Sequence, residues 1–170
     1  MKKMRVVFIG LIFVALGTTA YAQAPYTHSI GGITGMFNGA SYKTFAFSDK
    51  LALQADLGMK WSVRQWSFWS VDVNPNLMYQ KGFSKVNGLY WFAGGGVSLG
   101  YAFSTYGWYN GYHSGVGRFG VNAIGGVEYK FKFPLTLQLD FRPGFGLLFY
   151  RGGANGYFDW GLNLSARYAF

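Results

Sequence analysis

From about residue 28 to the end, apolar and polar side chains alternate with a period of two. That is the spacing of strands whose two faces meet different surroundings. The last segment shows it most cleanly. Phe158, Trp160, Leu162, Leu164, Ala166, Tyr168 and Phe170 fall on one face, and Tyr157, Asp159, Gly161, Asn163, Ser165, Arg167 and Ala169 on the other. Residues 135–147 repeat the pattern, with Leu135, Leu137, Leu139, Phe141, Phe145 and Leu147 opposed to Thr136, Gln138, Asp140, Arg142, Gly144 and Gly146. The same reading predicts strands over 118–131, 89–103, 69–80 and 51–61. Two weaker segments, at about 28–37 and 40–47, are split by Asn38-Gly39, a pair that favours tight hairpins. The count is eight.

The breaks between these segments alternate in length. Ser48-Asp49, Ser84 to Gly88 and Lys132 to Pro134 are short; residues 62–68, 104–117 and 150–156, with Asn38-Gly39, form the other and generally longer set. An even strand count with short turns at one end and longer loops at the other is the pattern of an up-and-down outer-membrane barrel. Pro75 and Pro143 fall inside strands and remove ladder donors, so local bulges are expected there.

Alternation alone does not separate a membrane barrel from a soluble one; composition and charge placement do. Charged residues are 12% of the chain and aromatics 21%, against about 25% charged in ordinary soluble domains. In the six clear strands the apolar face carries no charge. Asp56, Asp72, Glu128, Asp140 and Asp159 lie on the opposite face, alongside Lys60, Arg118, Lys130, Arg142 and Arg167. Trp61, Trp69, Tyr79, Trp91, Tyr101, Phe103, Tyr129 and Phe131 gather towards strand ends, which suits interfacial girdles. The expected fold is therefore an all-β, eight-stranded antiparallel transmembrane β-barrel, apolar outside and ionic inside. Eight strands leave an interior that side chains fill, so a lumenal network of Asp72, Glu128, Asp140, Asp159, Arg142 and Arg167 is expected, acting chiefly as a structural plug.

The N-terminus reads as an address. Lys2, Lys3 and Arg5 precede an apolar stretch from Val6 to Leu16, and Ala20-Tyr21-Ala22 offers a small-x-small cleavage site. Eleven residues are too few for a helical span, which needs about 20. Residues 1–22 are thus expected to be a signal peptide and residues 23–170 the barrel. The net charge of +9 loses the three leader positives and becomes +6. That charge is scattered around a membrane body, which makes nucleic acid a poor partner. The chain has no Cys, so disulfides, thiolate metal sites and a lipidated Cys are excluded.

At this point the chain resembles the small eight-stranded outer-membrane barrels of the OmpX and OmpA-transmembrane type, in the broad porin-like group of outer-membrane β-barrel domains. The resemblance covers residues 28–170. Its most specific part is the C-terminus, Asn163 to Phe170, where Tyr168 and Phe170 match the spaced apolar positions of that group's assembly signal and Asn163 its polar position. Ser165 stands where the signal usually has Gly. The resemblance implies a bacterial outer-membrane location and insertion by the barrel-assembly machinery.

Catalytic chemistry is sparse. A hydrolase needs a base beside a nucleophile, and the two histidines, His28 and His113, fall at opposite ends of the expected barrel. Two separated histidines and isolated carboxylates make no metal cluster, and no cofactor is expected. Gly31-Gly32 and Gly94-Gly95-Gly96 sit mid-strand with no helix after them, so they are not phosphate cradles. The loop from Ser104 to Gly117 carries Tyr106, Trp108, Tyr109, Tyr112 and His113 among glycines; it is either a wet loop with aromatics folded on the rim or an exposed recognition surface for an extracellular ligand. Arg64, Arg118 and Arg151 fall near the outer strand ends and are candidates to pair with phosphates of lipopolysaccharide. The expectation is a non-enzymatic envelope barrel that supports membrane integrity or presents binding loops. A narrow pore or hydrophobic-solute conduit is the alternative, and a lipid A-modifying enzyme the third reading.

Overall fold

The computed structural model describes residues 25–62, 68–104, 116–150 and 153–170. The leader expected over 1–22 lies outside them. Eight strands follow in order: β1 (His28–Gly35), β2 (Phe37–Ser48), β3 (Leu51–Ser62), β4 (Phe68–Gly82), β5 (Leu89–Ser104), β6 (Val116–Lys130), β7 (Leu135–Tyr150) and β8 (Gly153–Ala169). Each pairs antiparallel with its neighbour in sequence, and β1 closes on β8 from Ser29↔Ala169 to Gly35↔Asn163. Closure leaves no free edge along that seam and satisfies the backbone between strands, as a wall that crosses lipid requires.

Alternation decides which face turns inward. On β8 every second residue from Tyr157 to Ala169 is buried while Phe158, Trp160, Leu162, Leu164 and Tyr168 are exposed. Leu57, Val73, Leu77, Leu99, Leu139 and Phe141 are likewise exposed on other strands. Asp56, Gln54, Asn76, Glu128, Gln138 and Arg167 are buried. This is a soluble protein turned inside out. A one-residue slip of β7 would send Asp140 and Arg142 outward together, and a mid-depth cation on the lipid face costs roughly 2–4 kcal/mol.

Three local expectations are corrected. The first hairpin does not turn at Asn38-Gly39. Ile33 pairs with Gly39, which centres the turn on Met36, with Gly35 at φ +130°. Asn38 instead braces that turn: its Oδ1 accepts from Thr34 Oγ1 at 2.8 Å and its Nδ2 donates to the Gly35 carbonyl at 3.0 Å. The prolines make no bulge. Across Pro75 the β4–β5 ladder lapses between Val73↔Leu99 and Asn76↔Gly96 and resumes in the same register, and β6–β7 does the same across Pro143. The register shift lies between Thr44 and Ser48 of β2. Finally, Tyr150 pairs with Gly153, so most of the loop expected over 150–156 is strand.

Aromatic side chains ring the end that carries the termini. Tyr129 and Phe131 meet edge to face at 4.8 Å, Phe131 and Phe133 lie 5.1 Å apart, and Tyr79 packs on Trp91 at 5.9 Å. At the far end Tyr101 and Phe103 meet at 5.1 Å. The side chains of Trp61 and Trp69 lie outside the described set.

Candidate functional site

Among the described residues charge concentrates in the lumen, and it is layered. On part of the inner face Phe45, Ala52, Met78, Phe92 and Ile124 form an apolar cluster. Tyr26, ahead of β1, packs on this cluster, meeting Phe45 edge to face at 5.3 Å. Its hydroxyl reaches both carboxylate oxygens of Glu128, at 2.9 and 3.0 Å. Burial, then the Glu128 charge, raises the Tyr26 phenol well above its ordinary pKa of 10.0, so it stays a donor.

Glu128 is the hub of the first ionic layer. Lys43 Nζ lies 3.0 Å and Arg167 Nη2 2.7 Å from its Oε2, while Gln80 Nε2 donates to its Oε1 at 3.0 Å. All four side chains are buried. Lys43 also donates to Gln80 Oε1 at 2.6 Å, and Arg167 to Ser41 Oγ at 3.0 Å.

Gln138 links this layer to the next. Its Oε1 accepts from Lys43 and Arg167, and its Nε2 donates to Gln54 Oε1 and Asp140 Oδ2. In that middle layer Arg142 bridges Asp140, 2.6 Å from Nε, and Asp56, 2.6 Å from Nη1. Asn163 Nδ2 donates to Asp140 Oδ1 at 3.0 Å while its Oδ1 caps the Phe37 amide at 2.9 Å.

In the outermost layer Arg118 lies 2.7 Å from Asp72 and 2.5 Å from Asp159, with Lys60 2.9 Å from the same Asp159 oxygen. The Arg118 guanidinium stands over the Tyr157 ring at 4.4 Å. A Cβ on Gly100 would run into the Asp72 carboxylate, and one on Gly120 or Gly146 into the Tyr157 hydroxyl. Those glycines are the space into which the polar layer fits.

All six residues expected in the interior network lie in the lumen, but as separate layers: Glu128 with Arg167, Asp140 with Arg142, and Asp72 with Asp159. Four charged members stood outside that expected set: Asp56, Lys60 and Arg118, which the alternation had put on the polar face, and Lys43, which it had not. Lys43 belongs to the weakly patterned β2, where Phe45 and Phe47 blur the alternation; counting inward positions back from Phe45 would have found it. Arg118, expected near the rim, is 3% exposed and held by two carboxylates, so it is withdrawn as a contact for lipid phosphates. Lys130 leaves the interior set: its ammonium donates to the Phe131 and Phe133 carbonyls in the β6–β7 turn. Among the described residues, the lumen then holds Lys43, Lys60, Arg118, Arg142 and Arg167 against five acids, so the opposing charges are equal in number.

Little open volume remains. A cavity of about 20 Å³ lies between the middle and outer layers, lined by Lys60, Asn74, Asn122, Arg142 and Asn163 with Met36 at its edge. That is room for about one water. Among the described residues no group of three or more His, Asp or Glu is placed to hold a metal ion. His28 opens β1 at the rim, its Nδ1 2.8 Å from Tyr42 Oη and its ring against Phe170 at 5.7 Å. Tyr168 and Phe170 face outward and are exposed. Tyr106, Trp108, Tyr109, Tyr112 and His113, with Arg64 and Arg151, lie outside the described residues.

An apolar exterior around an ionic, closed interior is the surface chemistry of a barrel that spans a membrane. Comparison with solved structures agrees. The crystal structure of Neisserial surface protein A superposes with a TM-score of 0.53 over 84% of this chain and 94% of that one, at 17% sequence identity. The fold is that of a small outer-membrane barrel. The chain matches no protein-family model and no curated protein, so the likeness carries the fold and nothing finer.

Proposed function

We propose that this outer-membrane barrel is a non-enzymatic, non-conducting scaffold that stabilises the envelope and presents its outer loops for binding. The observation that carries the reading is the lumen. Among the described residues, five cations and five carboxylates are cross-linked in layers by Gln54, Gln80, Gln138 and Asn163, beside an apolar cluster against which Tyr26 packs. An ion entering this space must break buried pairs, a cost of several kcal/mol per pair. A hydrolytic site needs a base beside a nucleophile at an accessible cleft, and the lumenal carboxylates are instead occupied by guanidinium and ammonium groups.

Binding belongs to the segment with Tyr106, Trp108, Tyr109, Tyr112 and His113, whose aromatic and glycine content suits contact with an extracellular ligand. Lipopolysaccharide phosphates are the partners proposed for Arg64 and Arg151, and the barrel-assembly machinery for the C-terminal Tyr168 and Phe170.

Planar-bilayer recording of the purified barrel tests the scaffold reading: silence is expected, and unitary steps would replace it with a pore. Deleting residues 106–113 tests the loop: partner capture or adhesion is expected to fall while the barrel still folds. Lipid A that changes in mass when the protein is expressed would overturn the non-enzymatic assignment.

A further inference from the structure

The ladder between β6 and β7 runs from Gly117↔Phe149 to Asn122↔Gly144, stops, and resumes at Gly125↔Phe141 without a register change. The lapse falls opposite Pro143, which has no N–H to donate. Outside this gap the wall is dented. An open cavity of about 260 Å³ is lined by Val121, Ala123, Pro143, Gly144, Phe145 and Phe158. Ala123 and Pro143 form a low base, and Phe145 and Phe158, cross-strand partners 65% and 53% exposed, stand beside it as one wall. The notch lies halfway along both strands, at the middle of the apolar belt.

Asn122 marks how thin the wall is here. It lines both this notch and the small lumenal cavity beside Lys60 and Arg142. Its Nδ2 donates to Asn76 Oδ1 at 2.6 Å, while its own buried Oδ1 accepts from no described residue. Asn122 therefore stands between the notch and the charged interior.

We propose that this notch seats one acyl chain of a surrounding membrane lipid, which covers the ladder gap. The notch is continuous with the lipid-facing belt and has no charged residue in its lining, so the occupant is the hydrocarbon that already bathes Leu57, Leu77 and Leu139. At mid-depth no headgroup competes for it. A convex wall touches a chain on one side; here the base and the paired phenylalanines touch it on two. Dispersion contacts fall off steeply with a gap of less than an ångström, so a concave seat retains a chain where a convex wall lets it slide. The chain also keeps water from the Asn122 side of the wall.

The test uses the whole barrel in phosphatidylcholine vesicles containing a small fraction of the same lipid with a diazirine midway along one acyl chain. After irradiation, adducts are mapped by mass spectrometry. They are expected to concentrate on Ala123, Phe145 and Phe158, several-fold above Leu57 and Leu77 at mid-strand on the other side. Ala123→Phe fills the notch from outside and is expected to even out the pattern. Phe158→Ala removes part of the side wall and is expected to weaken the preference, which gives a second reading should Ala123→Phe fold poorly. Uniform labelling of the native barrel overturns the proposal, and so does a preference that survives both substitutions.

Discussion

Arg142 on β7 and Asp56 on β3 meet 2.6 Å apart across the lumen, from strands on opposite walls of the barrel. Asp140, two residues from Arg142 on its own strand, holds the other side of the guanidinium. One cation thus answers two buried carboxylates and ties two walls together. Arg142→Ala leaves both buried acids without a counter-charge, at an expected cost of about 3–5 kcal/mol, a large share of the roughly 5–15 kcal/mol available to a domain. Adding Asp56→Asn should restore part of the loss, because one stranded charge is gone. Urea unfolding of the single and double variants measures both, and equal stability of Arg142→Ala and the native barrel would mean that water already solvates this layer.

The inside-out partition makes its own prediction. Phe141 is outward and near the middle of β7, whereas Phe133 is outward in the turn before it. Phe141→Arg should destabilise by roughly 2–4 kcal/mol in vesicles, and Phe133→Arg by about 0–1 kcal/mol, because the penalty for a lipid-facing cation depends on depth. Folding titrations in phosphatidylcholine vesicles read the difference. A soluble barrel would show no such gradient.

That partition was legible from sequence because a period of two assigns every residue to a side, and the acids of β3, β4, β6, β7 and β8 all fell on one side. What alternation does not encode is height. Arg118 looked like a rim residue by its place near the start of β6, yet Asp72 and Asp159 reach it from strands on both sides. Nor does a polar-inside rule anticipate an apolar cluster in the lumen: Phe92, Ile124 and Met78 are inward because the strand parity puts them there, and they are accommodated because they pack with Phe45 and Tyr26. Asn38-Gly39 was misplaced because its hairpin preference is local, whereas the pairing Ile33↔Gly39 is set by where the buried Phe37 and Ser41 must point.

Tyr26 offers a test of its packing on the apolar cluster. Tyr26→Phe keeps the ring on Phe45 but removes the hydrogen bonds to Glu128, with an expected loss of about 1.5–3 kcal/mol for a bond to a charged group. The folded phenol titrates above the unfolded one, so its contribution is complete below about pH 10 and declines as pH rises past the unfolded value of 10.0. The stability difference between the native barrel and the Tyr26→Phe variant should therefore be flat at neutral pH and shrink in alkali. Tyr26→Ala empties the ring site altogether. p-Cresol, which supplies both ring and hydroxyl, should then raise the stability of that variant with concentration and leave the native barrel unchanged. Failure of p-cresol to discriminate the two would remove Tyr26 from the cluster.

The C-terminal residue separates assembly from stability. Phe170 exchanges two backbone hydrogen bonds with His28, at 2.8 and 2.9 Å, and these do not depend on its side chain. The ring itself is 62% exposed, touching only the His28 and Tyr168 rings at 5.7 and 6.3 Å among the described ring pairs. An exposed ring with few contacts contributes little to a folded barrel; surface substitutions of that kind usually stay within about 0.5 kcal/mol. If Phe170 serves as a recognition feature during insertion, Phe170→Ala should lower the amount of barrel in the outer membrane of cells by far more than it lowers the urea midpoint of the purified protein. Proportional losses in both measurements would assign Phe170 to the seam with β1 instead, and unchanged membrane levels would remove it from assembly.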